Sequence, residues 1–201
     1  MSTDGKALTP QNAGYYEGVT DVYYALFETM DGPGTAPTYA TPVLAAKTIE
    51  IGITPNYREG KVYASNVATR REQRVESYQV NLNADQVIPE VRQVLLGREA
   101  DANGVELIQG NKVAPWVAIL FAVTLDDETK EYWCMYKGRF QEGTHTFHTR
   151  NDGDSYQHPS LQATFVRLEN NDALAAVASE AAGASAATSA WFNSVYTGAG
   201  T

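Results

Sequence analysis

"EYWCMYKGRF", residues 131–140, decides how the rest of the chain is read. As a strand it places Tyr132, Cys134, Tyr136 and Phe140 on one face. The other face carries Trp133 and Met135 before Lys137 and Arg139. A half-buried strand is apolar on one face and polar on the other. This one is apolar on both faces over its centre, so its second face must also be covered. The same pattern recurs in "TDVYYALFE", where Val22, Tyr24 and Leu26 oppose Tyr23, Ala25 and Phe27.

Outward from these two strands the chain reads as mainly β. "TIEIGIT" alternates cleanly, with Ile49, Ile51 and Ile53 on one face. "YQVNL", the buried "PWVAILFAVTL", "GTHTFHTR" and "LQATFVRLE" supply further strands. "DDETK" joins 116–125 to the opening stretch as a hairpin. One helix is predicted in "NADQVIPEVRQVLLG", with Asp85 as cap and Pro89 in the first turn. Its stripe is Val87, Val91, Val94 and Leu95, and Gly97 stops it. Strands do not alternate regularly with helices, which excludes a parallel α/β arrangement. The fold class expected is an antiparallel β-sandwich or barrel with one packed α-helix and a C-terminal helical segment.

Three regions stand apart. Residues 1–16 read as a flexible arm. Residues 55–79 hold five basic and three acidic residues and few aliphatics, and read as a long loop within a domain spanning 17–172. Residues 173–201 form an Ala-rich extension, with a short helix predicted from Thr188 or Ser189 that groups Trp191, Phe192, Val195 and Tyr196 on one side.

The chain of 201 residues carries a net charge of −9, which disfavours general nucleic-acid binding. A single cysteine, Cys134, permits no internal disulfide and fits a reducing compartment. The N-terminus lacks the basic and apolar regions of a secretory signal, and "WVAILFAV" is too short to span a bilayer.

The search for chemistry returns nothing. His145 and His148 are three apart, on opposite faces of a strand, and with His158 they make no metal cluster. Cys134 lies among aromatics, where burial keeps a thiol inert. No P-loop, Rossmann or nucleophile-elbow motif is present. "DDE" (126–128) and "NDGD" (151–154) read as turns. "RREQR" (70–74) lacks the interleaved aromatics of single-strand binders and suits contact with an acidic surface. Surplus apolar strand surface and segregated charge instead suit a subunit that packs against copies of itself.

A series of segments carries a resemblance: "GVTDVYYALF", "TIEIGITPN", "VYASN", "IPEVRQVLLG", "NGVELIQGNKVAPWVAILF", "YWCMYKGRFQEGTHTFHTRND", "ATFVRLEN" and "AWFNSVY". In order and spacing, over roughly 18–196, the chain resembles the major tail tube proteins of long, non-contractile-tailed bacteriophages. The resemblance implies a non-enzymatic structural subunit without cofactors. It implies hexameric rings stacked into a tube, inner strands lining a channel, and genomic DNA passing through without specific binding. It implies a place in the virion tail after assembly in the host cytoplasm, with tape measure, tail terminator and distal tail proteins as partners and no membrane. Ring-to-ring contact is expected from 55–79, with Arg58, Tyr63, Arg70, Arg71 and Arg74 as interface candidates. The arm and "AWFNSVY" come second, with Trp191, Phe192 and Tyr196. The alternatives are a tail terminator, a head-decoration protein, the tube of a phage-derived injection particle, or a metal-dependent barrel enzyme using the histidines.

Overall fold

The computed structural model describes residues 15–64, 67–143, 158–180 and 184–198, with the side chains of 61–71 and 185–186 outside that description. Nine antiparallel strands are β1 (Tyr16–Val19), β2 (Val22–Thr29), β3 (Thr38–Tyr39), β4 (Val43–Ala64), β5 (Val67–Val87), β6 (Val117–Leu125), β7 (Lys130–Glu142), β8 (Ser160–Val166) and β9 (Ala175–Ser179). The helices are α1 (Pro89–Leu96) and a single turn, α2 (Ser185–Thr188). Pairing runs β6–β2–β4–β5–β8–β7 and closes through β7–β6, so six strands form a barrel. β1 extends it beside β6, β3 beside β2 and β9 beside β7.

The core follows from the two doubly apolar strands. Inside the barrel lie Val22, Tyr24, Leu82, Ile119, Phe121, Met135, Phe140 and Phe165. A second cluster, with Leu120, Cys134, Tyr136, Leu168 and Trp191, covers the outer face of β6 and β7. The second face of 131–140 is therefore covered by the chain's own C-terminal segment. Tyr132 meets the Trp191 and Phe192 rings at 5.9 Å, and Trp191 Nε1 donates to the Trp133 carbonyl at 3.2 Å.

The irregular alternation of this strand also has a cause. Val117 pairs with Gly138 and Ile119 with Met135, so β7 spends three residues where β6 spends two. This bulge moves the inward side chains from Trp133 and Met135 to Phe140.

α1 closes one end of the barrel with Val91, Leu95 and Leu96. Gly97, left-handed at φ 65°, ends it as expected; its N–H donates to the Val94 carbonyl and the Arg98 N–H to the Gln93 carbonyl. Its start differs from expectation. Asp85 is no cap, because β5 runs on to Val87, and Ile88 holds the N-cap position without a side-chain bond. Pro89 itself begins the helix, where its missing N–H costs nothing.

Two sequence expectations fail. Residues 55–79 are not a loop, because β4 and β5 continue through most of them as a paired hairpin. Residues 56–60 and 72–74 are exposed on both faces, so this stretch lacks the apolar period that marks half-buried strands. The C-terminal helical segment reduces to one turn at α2, while Trp191–Asn193 are turns and 175–179 form β9. The alanines at 175, 176 and 178 fall in the stretch read only as an Ala-rich extension, and alignment with Met135–Glu131 of β7 makes them a strand. The 1–16 arm lies outside the described residues up to 14, and β1 starts at its end. The strand expected in "GTHTFHTR", with His145 and His148, also lies outside them apart from Gly143.

Candidate assembly interface

β8 supports β5 only through Ser77–Asn83. Beyond that, from Tyr57↔Val75 to Ala64↔Val67, β4 and β5 pair only with each other among the described residues. The hairpin thus projects from the barrel with backbone donors and acceptors on both edges unused by a third strand. Such edges are templates for pairing with another chain. The outer edge of β9 likewise pairs with no further strand among the described residues.

Polar ties stiffen the stem. Asn56 Nδ2 donates to Ser77 Oγ at 3.1 Å, and Gln73 Nε2 to Glu59 Oε1 at 3.0 Å. Arg58 and Arg74 stand directly opposite each other. Like charges in that position destabilise a strand pair unless something neutralises them. Glu72 takes up part of the charge, 3.2 Å from Arg74. On the same side Arg167 joins them around an open groove of about 330 Å³, itself 3.1 Å from Asp172. Three guanidiniums against the two carboxylates of Glu72 and Asp172 leave this group of side chains with one positive charge in excess, suited to an acidic partner rather than to an apolar one.

The expected interface residues divide. Arg58 and Arg74 come together on the hairpin. Tyr63, Arg70 and Arg71 lie in its strands, but their side chains are outside the described residues. Trp191, at 2% exposure, belongs to the subunit's own second cluster, and Phe192 packs against it there. Tyr196 stacks on Trp191 at 5.8 Å and stays 36% exposed. The paired free edges of the hairpin were missed by sequence reasoning, and the only signal for them was the absence of an apolar face.

Catalytic and metal chemistry find no footing among the described residues. Cys134 is fully buried, and burial pushes its thiol up, away from reactivity. No group of three or more His, Cys, Asp and Glu side chains lies close enough to hold a metal ion among the described residues. His158 stands 3.7 Å from Asp85 on the surface.

None of the curated proteins matches the chain in sequence. Among solved structures it is similar to a chain of the anti-feeding prophage baseplate, determined by cryo-EM with 6-fold symmetrisation. Identity is 11% and the TM-score 0.32, over 83% of this chain and 97% of that one. The profile of the phage tail tube proteins matches residues 44–194, from the start of β4 to beyond Trp191. That match takes in five of the six barrel strands and the hairpin, and the chain belongs to the phage tail tube protein family, whose members are structural, non-enzymatic components of phage tails.

Proposed function

We propose that this chain is the repeating subunit of the tail tube of a long, non-contractile-tailed phage. Six copies form a ring, rings stack into a tube, and the genome passes through the central channel during ejection. The observation that carries this reading is the projecting β4–β5 hairpin, whose two unpaired edges and positive face stand clear of the barrel. A closed barrel has no edges of its own to offer. Edges that extend beyond it are the means by which copies of such a barrel join. In an assembled tube they would be covered, which removes the aggregation hazard they pose in a lone subunit.

Charge supports the same function. Each chain carries −9, so a ring of six carries −54. Holding DNA requires Lys and Arg against phosphates. A channel sharing the sign of the backbone lets DNA slide. Assembly takes place in the host cytoplasm, and the tube ends in the virion tail. Its partners there are the tape measure inside and the terminator and distal tail proteins at its ends.

Electron microscopy of the purified full chain across a concentration series tests the proposal. Rings or tubes with a central channel are expected, either spontaneously or on seeding with purified tail tips. A chain that stays monomeric even with tips present would overturn it.

A further inference from the structure

The end of the barrel that α1 closes carries a loop unlike an ordinary connection. Residues 97–116 join α1 to β6 with one isolated bridge, Ala100↔Glu106, and no further strand or helix. A segment this long with so little regular structure is uncommon in a compact domain and is usually functional. It is also firmly held. Arg98 Nη1 donates to Glu106 at 3.1 Å and to Glu142 of β7 at 3.2 Å. Arg92 of α1 reaches Glu106 at 2.9 Å. Asp101 Oδ1 accepts from the Asn103 and Val105 backbone N–H groups at 2.8 and 2.9 Å.

Despite that bracing, the loop turns its aliphatic side chains outward. Val105, Leu107, Ile108 and Val113 are 52%, 59%, 69% and 65% exposed. A floppy loop would bury such groups by folding back. A pinned loop holds them in water at a cost that contact with a partner removes. The bracing also means little ordering remains to be lost on binding.

Charge names the partner. Residues 85–114, which make up this end, hold five acidic and three basic residues. Residues 55–79, the hairpin, hold the reverse, five basic and three acidic. The two lie at opposite ends of the barrel. β5 runs from the hairpin to Val87, directly before α1, and β7 ends at Glu142 against Arg98. Opposite charge at opposite ends of one chain is a heterologous arrangement, which propagates head to tail.

We infer that the braced 98–114 loop is the seat for the β4–β5 hairpin of a second copy. Leu107 and Ile108 meet its exposed Tyr57, 58% accessible. The exposed Glu90, and Glu99, which within the subunit lies 3.5 Å from Lys112, face its Arg58 and Arg74. This rests on the stacking reading above and specifies which surface of one ring receives the hairpin of the next.

Thiol cross-linking in the assembled full chain tests it. Native Cys134 is buried and silent. Leu107→Cys and Arg74→Cys in one chain, treated with a short bismaleimide after assembly, should give a ladder of covalent multimers that neither single variant gives. Tubes without a ladder would overturn the seat while leaving the stacking reading intact. A chain that forms no tubes in unmodified form would overturn that reading itself. As a second variant, Glu90→Lys with Glu99→Lys should lose tubes at low salt, and adding Arg58→Glu with Arg74→Glu should restore them. Unchanged assembly of the first pair at low salt, or no rescue by the second, would count against the seat.

Discussion

Lys137 stands where the inside and outside of β7 change places, and a charge there must be answered locally. Its Nζ lies 2.7 Å from Asp31 Oδ1 and 3.2 Å from Glu169 Oε1, and 5.3 Å from the centre of the Trp116 ring. Burial on its own would raise the Asp31 carboxyl. The Lys137 ammonium and the Glu169 N–H outweigh burial and hold it below the ordinary carboxylate value. Such a carboxyl adds stability that is fully present above its unfolded pKa of about 4. That stability disappears as pH falls through the lower folded value. Asp31→Ala should therefore cost roughly 3–5 kcal/mol at neutral pH, because it leaves a buried ammonium with only the exposed Glu169 carboxylate as partner. The gap from the unsubstituted chain should narrow in acid. Urea unfolding at pH 7 and pH 3 measures both, and an equal gap at the two values would show that Lys137 does not depend on the Asp31 charge. Trp191 is the other residue on which the outer cluster turns. Trp191→Ala should lower unfolding stability by about 3–5 kcal/mol, as for a buried aromatic. A loss under about 1 kcal/mol would instead place the ring at the surface.

At the scale of elements, the bulge in β7 decides which strands fit together. Past it, Gly138 lies opposite Phe165, and a Cβ there would stand 2.4 Å from the Phe165 ring. Phe165 is fully buried and has no room to retreat. Gly138→Ala should cost about 1–3 kcal/mol through overpacking, read as a drop in the midpoint of thermal or urea unfolding. A neutral result would mean that β7 and β8 slide apart freely. Elements with a strong apolar pattern were legible in the sequence: β2, β6, β7, β8 and the body of α1 lie where the pattern puts them. So does Gly97 at the helix end. The hairpin was not legible, because a strand wet on both faces has the composition of a loop. β9 was not legible either, since Ala-rich segments take the structure their neighbours impose, and the neighbour was β7. Arg58 and Arg74 were singled out for charge alone, and only the register sets them face to face. Trp191 and Phe192 looked like sticky surface because the second apolar face of β7 had no visible partner until they supplied it.

For the whole molecule, these parts sort into a self-sufficient barrel and a hairpin that adds nothing to its core. Among the described residues, those buried inside the barrel come from β2, β4–β8 and α1, and none comes from the projecting part of the hairpin. Folding and assembly are thereby separable. Replacing residues 58–74 by Asn-Gly closes Tyr57 onto Val75, which are already paired, with a two-residue turn. The shortened chain should keep the thermal midpoint of the full one within a few degrees, since the barrel core includes no described residue of 58–74. Electron microscopy of the full and shortened chains, side by side in the same buffer and with the same seeding, is the most direct measurement of the claim that the hairpin joins subunits. Stacked tubes from the full chain, and only folded subunits or single rings from the shortened one, are the result expected. Tubes of equal length from both would contradict it.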